Sequence, residues 1–270
     1  MSAGWTNWAM RFWLALLVVF IFSPIALSLI FSFNSARFPT VPLEEFTWRW
    51  YQTIWADPDV WQAARNSLIV SACTAVLATT LGFCTAYTDY RFNFRFKGPY
   101  LALILLPPTI PLLILAFAML AWMTQLNQTT GLPVSGRLWS IIIAHTVLTA
   151  PFAMAVIRLR LNQIDPNLEA AAWNLGASEW GAVRRVILPF CRPAIASALC
   201  LTAAVSFDEF AIAWFVGGLD KTIPVLIWEI MTGTIDPQVN AMGSFVFITS
   251  MTLVILAQLF VFNRLARGGS

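Results

Sequence analysis

Hydrophobic positions in this chain come in long unbroken runs rather than in alternation. Six stretches stand out: Phe12–Phe33, Ser67–Thr88, Pro99–Met123, Leu138–Ile157, Pro193–Val216 and Ala241–Phe262. Each is close to the roughly 20 apolar residues that a helix needs to cross about 30 Å of hydrocarbon. Backbone polar groups in lipid must be bonded within their own segment, and continuous runs do not suit a barrel, so the pattern predicts an all-α polytopic membrane protein with six transmembrane helices. The first run follows a single Arg11, is too long for a signal-peptide core and has no small-residue cleavage site after it, so it reads as an uncleaved span. One long polar island, Arg158 to Arg192, interrupts the series between the fourth and fifth runs.

Composition agrees with this pattern. Hydrophobic residues make up 59% and charged residues 11% of the chain, and its mean hydropathy is +0.74. Soluble domains carry about 25% charged residues, so a soluble enzyme is excluded. The net charge of +3 says less than its distribution. With the amino terminus inside, the inner side holds Arg11, Arg91, Arg95, Lys97, Arg158, Arg160, Arg184, Arg185, Arg192, Arg264 and Arg267. The outer side holds Arg37, Arg49, Arg65, Arg137 and Lys221, giving 11 basic residues against 5. The positive-inside rule then predicts both termini and the polar island on the cytoplasmic side. Residues 1–270 read as one transmembrane domain, and the outer loop with Trp48, Trp50, Trp55 and Trp61 predicts a short interfacial helix. Cys73, Cys84, Cys191 and Cys200 form no CxxC or Cys/His pattern, which points to packing rather than to disulfides or metal.

The island has the local chemistry of two short helices. Asp165-Pro166 supplies an N-cap and a first-turn proline, helix formers run from Asn167 to Leu175, and Gly176 fits the left-handed residue that ends a helix. Ser178 can cap a second helix, which passes Arg184 and Arg185 and is interrupted at Pro189 and Pro193. Glu169 near the first helix start suits the macrodipole. Ala170, Ala171 and Ala172 allow close backbone approach, and Trp173 is a candidate interface anchor. Spacing alone leaves two readings level: a loop packed on its own bundle, or a docking element for a partner in water.

Two carboxylates, Asp208 and Glu209, fall inside the fifth run, where each costs on the order of 2.5–3.5 kcal/mol on insertion scales. On a continuous helix they would point about 100° apart. They either attract a cationic solute, or reach the outer interface or cap local structure. Pro107, Pro108 and Pro111 predict a kink in the third helix, which either lines a solute path or simply bends it. His145, the only histidine, reads as a hydrogen-bonded packing residue in preference to a proton relay. Gln258, Thr79 and Thr80 read as helix-joining polar residues. There is no Gly-x-x-x-x-Gly-Lys-Ser/Thr phosphate loop.

The segment Glu169-Ala170-Ala171 through Gly176 to Val186-Ile187-Leu188-Pro189 resembles the Glu-Ala-Ala loop of ATP-binding-cassette importer permeases, in the binding-protein-dependent transport inner-membrane component family. Gly176, nine residues and Val186-Ile187-Leu188-Pro189 follow the usual spacing, while Ala170 stands where the family usually has Glu and Glu169 lies one position earlier. Arg65-Asn66-Ser67-Leu68, Ala86-Tyr87, Pro107-Pro108-Thr109-Ile110-Pro111 and Pro151 also look familiar. Ser206-Phe207-Asp208-Glu209-Phe210 and Asp236-Pro237-Gln238-Val239-Asn240-Ala241 resemble the polyamine (spermidine/putrescine) and opine type. That type often has an acidic residue after the third-helix proline; here it is Leu112, so opine-like or other small amino solutes stay open.

The resemblance implies a six-helix type I permease in a bacterial inner membrane, and a transport subunit rather than an enzyme. Two such subunits, the second expected to be a different chain, would form the pathway within membrane lipid. Two cytoplasmic ATPases, holding the ATP and magnesium, would drive it, and an external or periplasmic solute-binding protein would deliver a small cationic solute. This chain would itself hold no cofactor or metal and bind no nucleic acid. Glu169, Ala170, Ala171, Trp173, Gly176 and Pro189 would couple to the ATPase, and Asp208, Glu209 and Pro111 would face the solute. An ion- or proton-coupled carrier using Asp208, Glu209 and His145 is the alternative.

Overall fold

The six apolar runs become helices, two of them broken where prolines or an acidic pair fall. The computed structural model describes residues 3–36, 43–165, 167–233 and 238–267. In chain order the helices are α1 (Ala3–Phe31), α2 (Arg49–Ala56), α3 (Pro58–Arg91), α4 (Lys97–Leu105), α5 (Leu112–Thr130) and α6 (Leu138–Leu161). They continue with α7 (Asn167–Asn174), α8 (Glu179–Ala182), α9 (Leu188–Asp208), α10 (Ala211–Val216), α11 (Ile223–Gly233) and α12 (Gln238–Arg267). Among the described residues there is no strand, only one isolated bridge between Asn34 and Phe46. The protein is all-α. Among the described residues, five helical stretches, ending at Phe31, Arg91, Thr130, Leu161 and Asp208, are long and apolar enough to cross a membrane. The sixth expected span lies within α12, and the side chains of residues 256–267 fall outside the described set. Arg37, Pro166 and the Asp236-Pro237 pair also lie outside the described residues.

Three expected boundaries need correction. The third run is not one helix: α4 ends at Leu105, residues Pro107–Thr109 form a 3-10 turn, and Ile110 and Pro111 are extended before α5 begins. Three prolines remove three amide donors in five residues, more than a kink can absorb. The fifth helix stops at Asp208 instead of running to Val216, and Glu209 is extended, with ψ 122°. The expected interruption at Pro189 and Pro193 is absent. Residues Val183–Ile187 form a π-helical turn, in which the Leu188 N–H donates to the Val183 carbonyl, and helix continues through both prolines. The wider turn relieves the clash of the Pro189 ring with the turn before it.

The described residues gather into two compact units. One comprises residues 1–61 and 226–249. In it α1 has no buried stretch at all, as suits a helix facing an apolar medium. Its end is fastened by side chains. The Trp50 indole N–H donates to the Asn34 carbonyl at 2.8 Å, the hydroxyls of Ser32 and Tyr51 meet at 2.7 Å, and Phe33 stacks on Phe46 with centroids 4.8 Å apart. The short helix expected in this loop is α2.

The other unit, residues 62–225 and 250–270, holds two apolar cores. One gathers Met123, Ile141, Ala144, Leu148, Ile212 and Val216. The other gathers Ala86, Ala153, Met154, Ile157, Ile187 and Ala198 around α3, α6 and α9. Small residues set the helix spacing in the second core. A Cβ placed on Gly82 would lie 2.7 Å from both the Ala153 Cβ and the Met154 backbone nitrogen, so α3 and α6 touch backbone to backbone there.

Gly82→Val must force these helices apart, at about 1–3 kcal/mol for overpacking. The melting temperature of the detergent-solubilised protein should drop by roughly 5 °C. Gly98, with nothing within 4 Å of an added Cβ, supplies the control: Gly98→Ala should leave the transition in place.

Candidate functional site

The 158–192 loop folds as its local chemistry demands. The Asp165 carboxylate accepts the Asn167 N–H at 2.9 Å and caps α7. Gly176 has φ +83°, the left-handed turn that ends the helix, and its N–H donates to the Trp173 carbonyl. The Ser178 hydroxyl accepts the Gly181 N–H at 3.1 Å and caps α8. Pro189 is the half-buried second residue of α9.

The faces of α7 divide the coupling candidates. Glu169 is buried; it accepts from the Tyr87 hydroxyl at 3.2 Å and sits 3.8 Å from the Arg91 Nε. The Arg91 guanidinium also lies over the Trp173 ring, 4.9 Å from its centroid. Glu169 and Trp173 therefore hold α7 to the end of α3. Ala170 and Ala171 are exposed on the opposite side. Beyond the end of α6, the most exposed large apolar side chains of this loop are Leu175, 89% exposed, and Trp180, 69% exposed. Sequence reasoning passed over both, although each stands beside a recognised signal: Leu175 precedes the Gly176 turn and Trp180 follows the Ser178 cap.

A second fastening was also missed. The Asp89 carboxylate, buried near the end of α3, binds the Arg158 Nε at 2.6 Å and the Lys97 Nζ at 3.2 Å. It ties the ends of α3, α4 and α6 together where the loop departs. Asp89 falls just past the end of the second apolar run, where a carboxylate reads as ordinary solvated surface.

The other candidate residues surround the break between α9 and α10. A cavity of about 710 Å³ opens there, and its lining includes Pro108, Leu112, Phe152, Asp208, Glu209 and Phe210. Pro111 does not line it; that residue is exposed and caps α5 in an extended conformation. Asp208, the last residue of α9, is exposed and has no partner among the described residues. Glu209 is buried and turned the other way. Its Oε1 and Oε2 accept the Ile212 N–H at 3.1 and 2.9 Å, and Oε2 accepts the Ala213 N–H at 3.2 Å. His145, fully buried on α6, places Nε2 3.1 Å from the Glu209 Oε2, and its Nδ1 shares a 2.9 Å hydrogen bond with the Ser206 hydroxyl. The Nε2 contact is oblique, so electrostatic attraction contributes more to it than hydrogen-bond alignment. The adjacent carboxylates thus face different surroundings, one toward the cavity and the other into a buried polar cluster. Among the described residues no group of acidic, histidine or cysteine side chains could hold a metal ion.

Comparison with known proteins adds independent information. Residues 78–267 match the family described as binding-protein-dependent transport system inner membrane component. The chain is 30% identical over 241 residues to the spermidine/putrescine transport system permease protein PotC of Haemophilus influenzae, covering 89% of this chain and 91% of that one. It is likewise 30% identical over 230 residues to the putrescine transport system permease protein PotI of Escherichia coli, covering 84% and 81%. A chain from the crystal structure of a bacterial ABC transporter involved in the import of the acidic polysaccharide alginate superposes with a TM-score of 0.74 at 16% identity, covering 96% of each chain.

The α7 clamp makes a checkable demand. Arg91→Ala removes a cation–π contact and a partly exposed ion pair together, about 1.5 kcal/mol in sum. Amide exchange across residues 167–174 should then quicken roughly tenfold. Unchanged exchange would mean that packing alone holds the helix.

Proposed function

This chain belongs to the binding-protein-dependent transport system inner membrane component family, and from that membership we propose that it forms one half of a transmembrane pathway for a polyamine-class cation. It is a multi-pass permease for a small solute, the role carried by its relatives. In this reading the solute arrives from an external binding protein, a second permease chain completes the pathway, and two ATPases on the cytoplasmic side drive it. Both termini and the 158–192 loop face the cytoplasm.

The observation that carries the reading is the loop itself. Helix α7 is fixed to the bundle by Glu169 and Trp173, while Leu175, Trp180 and the flanking Arg184 and Arg185 point to solvent. A rigid mount with exposed large apolar side chains and a basic rim suits docking to a protein partner. Because α8 continues through the π turn into α9 without a break, a push on the docked loop reaches the membrane-spanning helix directly. Alternating access by rigid-body movement needs such a connection.

The solute class rests on Asp208 and on the relatives. An exposed carboxylate at the edge of a cavity whose lining is apolar apart from the two carboxylate residues attracts a cation and repels an anion. An alkyl diamine offers ammonium groups for the carboxylate and methylenes for the apolar wall. Spermidine and putrescine, named for the PotC and PotI relatives, have this construction.

Uptake of radiolabelled putrescine into vesicles holding the whole complex should require ATP and ignore an imposed proton gradient; uptake driven by the gradient without ATP would overturn the reading. Trp180→Asp should lower ATP-driven uptake by about tenfold or more, as expected for an interface anchor, and co-purification of the ATPase should fall with it. Normal uptake together with normal ATPase retention would remove the loop from the docking role.

A further inference from the structure

The cluster behind the cavity wall assigns a task to His145, the fully buried histidine of α6. It lies between Ser206 and Glu209, at 2.9 and 3.1 Å, and both partners are themselves buried. Glu209 is at the same time the acceptor for the first free amides of α10. A carboxylate without partners is strongly disfavoured in such surroundings, and Glu209 has them in the two backbone amides and the imidazole, whose ring Ser206 fixes from its other nitrogen.

From this geometry we propose that His145 is a positioning residue for solute recognition. Fixed by Ser206, it holds Glu209 on the α10 N-terminus. Asp208 is left as the one uncompensated carboxylate that the cavity wall offers, matched to a single primary ammonium group of the solute.

The two charged residues lining the cavity are thereby separated by function. Glu209 fixes the backbone: the chain leaves α9 at Asp208, turns extended, and re-enters helix at Ala211 because the Glu209 carboxylate receives the amides there. Asp208, at the last helical position before that turn, projects into the cavity with no partner of its own among the described residues. The turn sets the direction of Asp208, and His145 sets the turn. The inference rests on the transport reading above for its solute, and on the buried geometry alone for the pairing.

The test uses the complete importer in proteoliposomes with ATP and radiolabelled putrescine, comparing wild type, Asp208→Asn, Glu209→Gln, His145→Leu and the His145→Leu/Glu209→Gln double variant. Asp208→Asn should raise KM about tenfold, whereas Glu209→Gln should lower maximal rate several-fold with KM within about twofold of wild type. His145→Leu strands a buried carboxylate and should cut transport at least tenfold; neutralising Glu209 as well should bring the double variant to within about threefold of Glu209→Gln alone. A Glu209→Gln KM as high as that of Asp208→Asn would overturn the proposal, because Glu209 would then touch solute. A double variant no better than His145→Leu would overturn the pairing. Melting temperatures of the detergent-solubilised variants read the pairing without any solute: recovery in the double variant supports it, and additive losses defeat it. Failure of wild type to accumulate putrescine strikes the solute reading instead, and the melting cycle still decides the pair.

Discussion

Every place where this chain leaves the α-helix inside an apolar segment obliges something else to take over the freed backbone groups, and the architecture follows from how that is done. Water cannot do it in hydrocarbon, so each break must carry its own partners. At 107–111 the prolines remove the donors outright, and a 3-10 turn uses what is left. At 183–187 the hydrogen bonds lengthen by one residue into a π turn, and helix persists across Pro189 and Pro193. At 209–210 the amides of α10 are received by a carboxylate, whose burial in turn requires His145 and Ser206. These are three solutions to one constraint, and only the last places charge within the span.

Helix α6 is the member against which the others are set. Its positions Ile141, Ala144, His145, Thr149, Ala153 and Ile157 are fully buried, and Gly82 lets α3 come to backbone contact with it. Polar ties then fix its axial position: the Leu138 N–H donates to Asp220 at one end, His145 meets Glu209 along its length, and Arg158 meets Asp89 at the other end. Apolar packing between smooth helices permits sliding at little cost. Polar ties at three heights oppose such sliding of α6 along its axis.

The parts of this arrangement legible in the sequence are those governed by local rules. Helix identity, the Gly176 turn and the caps at Asp165 and Ser178 depend on residues within a turn of each other, and the family match to the Gly176–Pro189 half depends on spacing. What was hidden is set by contacts far apart in the chain. Glu209 cannot be told from Asp208 by sequence, since both are carboxylates in one apolar run; their difference comes from His145, more than sixty positions earlier. Leu175 and Trp180 look like any apolar residues until the bundle leaves them uncovered, and Trp173 looks exposed until Arg91 arrives from α3. Prolines mislead for the same reason: whether Pro189 breaks a helix depends on whether the preceding turn can widen.

These long-range ties also connect the two ends of the candidate machinery. Displacing α7 pulls on Arg91 and Tyr87 of α3, and two residues along the same helix Asp89 grips Arg158 of α6. Further along α6, His145 holds Glu209 and with it the start of α10. A chain of contacts is not yet coupling, which requires an element with two arrangements that both sites bias. The linker Glu209–Phe210, in which Glu209 is extended, is the strongest candidate for that element among the described residues. It separates α9 from α10, it borders the cavity, and the π-turned helix running up from the loop ends on it. Motion entering through α8 and α9 arrives at the hinge from one side, while α6, through His145, restrains it from the other. A change in the angle between α9 and α10 at this point would carry Asp208 with it.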